Sequence, residues 1–273
     1  MGEQITYTTS AGSALRIDVD GSVKYLDGSN IDTWQVEASW EQAYDTAVLQ
    51  GYGSRRRAFG LRFSVEGTAY DSVRGTLAAL RRHMMYDVAR DEAGTVQVVL
   101  DNGGTYTVKA APVAPSIDGP GNTYAEVVLN FEASSPWWEY GAQVEGTTAC
   151  NGTTPVNLVY SLSNSDFKVW PEYQITGVAG TLTITDNETG DYIQIGTVTA
   201  NIDDVLRIYT DPPEVLYYEH GAGDGVAWTG YGGTVSDFFA LLPPDGSVQL
   251  TCSAGGTALV SMFYTERVGG LGI

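Results

Sequence analysis

The stretch Pro136-Trp137-Trp138-Glu139-Tyr140 separates two parts of the chain that differ in their sequence patterns. Before it, residues 72–88 show the periodicity of an amphipathic helix, with apolar residues three and four positions apart. These residues are Val73, Leu77, Leu80, Met84 and Val88. Beyond residue 140 the helical periodicity disappears. We therefore predict a domain boundary here, with one domain over residues 1–139 and a second over residues 140–273.

The first domain is predicted to be an antiparallel β-barrel or sheet that carries one amphipathic helix. Short apolar stretches punctuated by Gly, Asn and Asp are typical of β-strands, and residues 14–26 suggest a hairpin around Asp20-Gly21. The helix lies at about residues 72–88, where Asp71 or Ser72 can cap it. Its arginines, Arg74, Arg81 and Arg82, fall outside the apolar stripe.

The second domain is predicted to be a β-sandwich of the jelly-roll kind. Between residues 154 and 265 the sequence has many short apolar segments, with turn residues every 8–12 positions. The fold class is therefore mainly β throughout.

Charge limits the classes of partner. The 273 residues include 14 Lys and Arg against 33 Asp and Glu, for a net charge of −19. Eleven of the 14 basic residues lie in residues 1–140, so the composition also changes near the predicted boundary. A chain this acidic disfavours general binding to nucleic acid or to an anionic membrane. No apolar run approaches the ~18 residues of a membrane-spanning helix, and we expect no membrane insertion.

Catalytic and metal-binding motifs are not evident in the sequence. The two histidines, His83 and His220, have no partner at metal-ligand spacing, and no nucleophile elbow, phosphate-binding loop or dinucleotide fingerprint appears. Asp186-Asn187 and Asp203-Asp204 fit either turns or calcium ligands, and turns explain them more simply. We expect no enzymatic activity, no cofactor and no metal.

The two cysteines, Cys150 and Cys252, both fall in the second domain. Two are too few for a disulfide framework. They either pair, if their strands are neighbours, or remain free buried thiols.

Two short segments are candidate contact sites. Arg55-Arg56-Arg57 is either an anchor for carboxylates of a neighbouring copy or a solvated loop. The glycine-rich loop 221–233 carries Asp224, Trp228 and Tyr231, whose aromatic rings either contact a protein or sugar partner or cover the end of the sandwich.

The segment Asn130-Phe131-Glu132-Ala133-Ser134-Ser135-Pro136-Trp137-Trp138-Glu139 resembles the domain junction of the distal tail proteins of long-tailed, non-contractile bacteriophages. Two later segments also resemble that family. They are Gly190-Asp191-Tyr192-Ile193-Gln194-Ile195 and Phe239-Ala240-Leu241-Leu242-Pro243-Pro244-Asp245-Gly246-Ser247-Val248. In the last segment an extra residue and Ser247 replace the family's tighter Pro-Gly-Asn form.

The resemblance implies a structural protein of the virion, made in the host cytoplasm. It implies a hexameric ring, built by the first domain between the tail tube protein and the tail-tip hub protein. It also implies a galectin-like second domain that projects outward toward a receptor-binding protein or a host saccharide, and a lumen through which DNA passes. The alternative is a carbohydrate-binding protein that does not assemble into rings.

Overall fold

The computed structural model describes residues 4–17, 23–25, 36–43, 46–54, 58–118, 123–177, 180–195, 204–218, 226–227 and 238–269. The chain divides into two compact units. The first unit is Met1–Gly141 together with Val268–Ile273, and the second unit is Ala142–Arg267.

The first unit contains one helix and nine complete strands among its described residues. They are β1 (Gln4–Thr8), β2 (Ala14–Ile17), β3 (Val23–Tyr25), β4 (Val36–Ala43), β5 (Thr46–Ser54), β6 (Ala58–Glu66), α1 (Tyr70–Val88), β7 (Gly94–Val99), β8 (Thr105–Asp118) and β9 (Tyr124–Ala133).

The main sheet of the first unit runs in the order β2–β1–β7–β8–β9–β6–β3, and its pairings are antiparallel. Strands β4 and β5 form a separate hairpin. Among the described residues β2 pairs with β1 and β3 pairs with β6. The turn of the hairpin predicted over residues 14–26 lies outside the described residues, so that hairpin stays a prediction.

Helix α1 packs one stripe of apolar side chains against the sheet, where it contacts β6 and β8. Val73, Leu80 and Met84 are buried, as the periodicity predicts, and Leu77 packs partly buried against the same core. Val88, predicted on the same stripe, is 40% exposed at the last position of the helix, so the prediction is wrong for this residue. The helix begins two residues earlier than expected, and its N-cap is Ala69. Ala69 has no side-chain oxygen to offer, so the hydroxyl of Ser72 accepts a hydrogen bond from the Ala69 N–H at 3.2 Å instead. The proposal that Asp71 or Ser72 is the N-cap residue is therefore wrong.

The core of the first unit follows from alternation along its strands. In β1 and β7 every second residue is buried, which places Ile5, Tyr7, Val96 and Val98 on the face toward the core. Aromatic side chains fill its centre, where the rings of Phe59 and Phe131 stack at 5.3 Å.

The second unit is a two-layered β structure. Its strands are β10 (Trp138–Asn151, which begins in the first unit), β11 (Val156–Ser161), β12 (Glu172–Thr176), β13 (Leu182–Asp186), β14 (Tyr192–Ile195), β15 (Val205–Thr210), β16 (Pro213–Tyr218), β17 (Val226–Ala227), β18 (Asp245–Cys252) and β19 (Thr257–Val268).

One layer has the order β17–β16–β15–β12–β19–β10, and the other has the order β11–β18–β13–β14. Their buried faces share one apolar core. The prediction of a mainly β chain with a single amphipathic helix is thus confirmed for the described residues. The closer likeness of the second unit to galectins stays a prediction.

Candidate interaction surface

Most of the contact sites predicted from the sequence lie outside the described residues. This holds for Arg55, Arg56 and Arg57, and equally for Asp224, Trp228 and Tyr231. Their proposed roles therefore stay predictions. The junction residues Pro136, Trp137 and Trp138 are described.

At the junction, Trp138 is wholly buried in the core of the first unit. Its ring lies 5.6 Å from that of Phe59, centre to centre. Pro136 and Trp137 are half-buried, and the hydroxyl of Ser135 donates a hydrogen bond to the Trp137 carbonyl oxygen at 2.9 Å. Trp138 therefore packs where the chain leaves the first unit, and the turn before it is fixed by Ser135.

A buried hydrogen-bond network fixes the last turn of α1. The Tyr7 hydroxyl donates to the carboxylate of Asp87, which is fully buried. The backbone N–H and the hydroxyl of Ser10 donate to the other carboxylate oxygen, at 3.0 and 2.6 Å. These bonds tie the C-terminal end of the helix to β1 and to the turn that follows it.

The same network sets the pKa values of its two titratable members. Burial, the hydrogen bond to Asp87 and the charge of Asp87 all raise the pKa of Tyr7, which stays protonated as a donor. Burial by itself would raise the pKa of Asp87. Hydrogen bonds from Ser10 and Tyr7 and the nearby His83 outweigh it, so the pKa of Asp87 lies below its ordinary value.

His83 makes a second contact between the helix and β1. Its Nε2 atom lies 3.4 Å from the Tyr7 carbonyl oxygen, and its ring meets the Tyr7 ring edge-on at 5.9 Å. Beside it an open groove of about 320 Å³ runs between the helix and the β1–β2 turn. The groove is lined by Thr9, Ala11, Ser13, Ala79, Arg82, His83 and Tyr86.

The outer side of α1, which we call the basic helix face, carries Arg74, Arg81 and Arg82. All three side chains are exposed, and no acidic residue occurs between Asp71 and Asp87. Within the part of the chain that the structure describes, none of these arginines forms an ion pair; Arg82 donates only to the Ala78 carbonyl oxygen, at 3.3 Å. In a chain of net charge −19, this face is suited to bind carboxylates.

Next to the arginines the helix exposes two apolar side chains. Met85 is 39% exposed and Val88 is 40% exposed. Sequence reasoning placed the arginines outside the apolar stripe but did not recognise a surface there. The signal was the run of 15 residues without an acidic side chain in an acidic chain.

In the second unit, the carboxylate of Asp186 takes part in the turn that the sequence predicts. It accepts hydrogen bonds from the N–H of Glu188 at 3.2 Å and from the hydroxyl of Thr189 at 2.9 Å. Asp204 accepts a hydrogen bond from the Tyr217 hydroxyl.

Among the described residues there is no group of three or more side chains placed to hold a metal ion. Likewise, none of the helices described is long and apolar enough to span a bilayer.

Solved structures with the same fold come from bacteriophages. One is the Dit protein of phage SPP1, described as a paradigm of the hub adsorption apparatus in phages that infect Gram-positive bacteria. It shares 16% sequence identity with this chain at a TM-score of 0.64, and the match covers 98% of this chain and 100% of that one.

Two structures of the phage P2 baseplate in its activated conformation, one with Ca and one with Sr, also match. Their identities are 12% and 11%, each at a TM-score of 0.50, covering 99% of this chain and 100% of theirs. No protein-family model and no curated protein sequence matches the chain. The chain therefore has the fold of a phage distal tail protein, as its sequence resemblance indicated.

Proposed function

We propose that this chain is a structural component of a bacteriophage tail and that it works as a ring of identical copies, six as the family resemblance implies. The ring lies between the tail tube protein and the tail-tip hub protein, and its role is assembly rather than catalysis. The observation that carries the proposal is the shared fold over 98% of the chain with the SPP1 Dit protein.

The basic helix face supplies a contact between copies. A ring needs a heterologous interface, in which one surface of a copy meets a different surface of the next. Arg74, Arg81 and Arg82 present unpaired guanidinium groups among the described residues, and the acidic surface of a second copy complements them in charge. Met85 and Val88 add apolar area at the same place.

Light scattering on the purified full chain tests this contact. We expect the wild-type chain to form an assembly of several copies. Arg81→Glu is expected to raise the dissociation constant of this assembly by tenfold or more. Lys109→Glu is the matched control, because Lys109 is also exposed in the first unit but lies on β8. Equal effects of the two variants, or a wild-type chain that stays monomeric at high concentration, would contradict the proposal.

The second unit is proposed to engage a receptor-binding protein or a host saccharide through Trp228, Tyr231 and Asp224. Calorimetry with cell-wall glycans tests whether this unit binds a saccharide. Trp228→Ala is the variant, and Tyr192→Ala is the control, because Tyr192 is an exposed aromatic residue on β14 of the same unit. Glycan binding that Trp228→Ala leaves unchanged would remove this loop as the site. Glycan binding by a chain that remains a monomer would favour a carbohydrate-binding module.

The lumen of the ring is proposed to let DNA pass without binding it. An acidic wall repels phosphate, and the net charge of −19 favours such a wall. We expect no change in the anisotropy of labelled duplex DNA at physiological salt. Specific binding there would overturn this part of the proposal.

A further inference from the structure

The two cysteines of the chain meet in the core of the second unit. Cys150 is on β10 and Cys252 is on β18, strands that belong to different layers of the sandwich. Their sulfur atoms are 2.7 Å apart, although the residues are 102 positions apart in sequence. Cys150 is fully buried and Cys252 is 4% exposed.

The backbone holds this arrangement in place. The Cys252 N–H donates to the Gly152 carbonyl oxygen at 3.1 Å, and the Gly152 N–H donates to the Gly256 carbonyl oxygen at 2.8 Å. These bonds connect the ends of β10, β18 and β19 next to the two thiols. The backbone next to each cysteine is therefore held by hydrogen bonds, and this keeps the two sulfur atoms close together.

We infer that Cys150 and Cys252 are a modification site, at which a hydroperoxide such as hydrogen peroxide converts the two thiols into a disulfide between the layers. In the first step one thiol is oxidised to a sulfenic acid, the O–O bond of the peroxide breaks, and one water leaves. In the second step the other sulfur attacks the sulfenic sulfur, the S–S bond forms, and a second water leaves. Overall the thiols lose two hydrogen atoms and the peroxide is reduced to two waters.

The environment of the thiols makes this reaction slow. Burial, and then the hydrogen bond to Cys150, raises the pKa of Cys252 to about 12. Its thiolate, the reactive form, is therefore scarce at neutral pH. A reducing cytoplasm keeps the pair as thiols. If the protein serves in a released virion, as proposed above, the cross-link forms after the particle leaves the cell.

The cross-link stabilises the second unit by closing a long loop. Because the two cysteines are 102 positions apart, the loss of entropy in the unfolded chain is large. Since the chain has only these two cysteines, no other disulfide competes within a single copy.

Intact mass measurement on the full chain tests the inference. The protein is incubated with hydrogen peroxide, unfolded, alkylated with iodoacetamide and weighed. We expect a chain lighter by two hydrogen atoms that takes no alkyl group, and that takes two after reduction. Two alkyl groups without reduction, oxygen atoms added to the cysteines, or chains linked in pairs would each overturn the inference.

Thermal unfolding gives a second measurement. The oxidised wild-type chain is expected to unfold at a temperature higher by roughly 5 °C or more than the reduced chain. Cys252→Ser is expected to show neither the loss of two hydrogen atoms nor this rise. An equal rise in the variant would contradict the disulfide. The disulfide lies within one chain and the mass measurement is made on the unfolded chain, so its outcome is separate from that of ring assembly.

Discussion

The hydroxyl of Tyr7 donates a hydrogen bond to the carboxylate of Asp87, 80 positions further along the chain. This bond joins the first strand of the sheet to the last turn of the only helix described. The carboxylate lies at the C-terminal end of α1, where the helix dipole disfavours negative charge. The donors of Tyr7 and Ser10 offset that cost, so the position of the basic helix face depends on them.

Tyr7→Phe is expected to destabilise the chain by about 1–3 kcal/mol, because it leaves a buried carboxylate without one of its donors. Chemical denaturation measures the change. Tyr70→Phe is the matched control, since Tyr70 is 48% exposed, and we expect a change within ~0.5 kcal/mol. Similar losses of unfolding free energy in both variants would show that the hydrogen bond to Asp87 does not stabilise the chain.

The contribution of Asp87 is expected to depend on pH with a definite sign. Its pKa in the folded chain lies below the value of about 3.9 typical of an unfolded chain. Its stabilising effect is therefore complete above that unfolded value and is lost as the pH falls through the folded pKa. The difference in unfolding free energy between wild type and Asp87→Asn should be largest above pH 5 and should shrink toward pH 3.

Denaturation at several pH values, with Asp91→Asn as an exposed carboxylate control, checks this prediction. A difference that stays constant or grows as the pH falls would contradict it.

Gly94→Ala and Gly75→Ala are expected to change stability in opposite directions. A methyl group at Gly94 would lie against the Thr8 carbonyl oxygen and 2.6 Å from the Tyr7 hydroxyl, so we expect a loss of about 1–3 kcal/mol. At Gly75, inside α1, nothing lies within 4 Å of the added methyl group, and alanine favours the helix by about 0.5–1 kcal/mol. Thermal unfolding of both variants measures the contrast. A loss of stability in both variants would contradict the expected gain at Gly75.

Trp138→Ala is expected to cost about 3–5 kcal/mol, because it removes a wholly buried indole that packs on Phe59. Trp137→Ala is the neighbouring control and should cost less, since Trp137 is only half-buried. Urea denaturation ranks the two. The reverse order would mean that the wrong tryptophan was assigned to the core.

The helix was predictable from sequence because its apolar stripe is a local signal. Strand β10 was not predicted, because most of its residues are exposed and it has no apolar alternation to recognise. The contacts of Asp87 with Tyr7 and of Cys150 with Cys252 span 80 and 102 positions. Spacing along the chain carries no sign of contacts at such separations.

The basic helix face was only partly predictable. Periodicity shows that Arg74, Arg81 and Arg82 point away from the core. It does not show that the nearby carboxylate of Asp87 is buried and accepts hydrogen bonds from Ser10 and Tyr7. Because Asp87 is buried, the basic helix face has no exposed acidic neighbour at this position.

Electron microscopy of the purified full chain tests the central claim most directly. The account predicts closed rings with six-fold symmetry, in which the first unit forms the ring and Arg74, Arg81 and Arg82 of one copy face the next copy. Monomers at every concentration, or rings in which these arginines face solvent and the second unit makes the contacts, would contradict it.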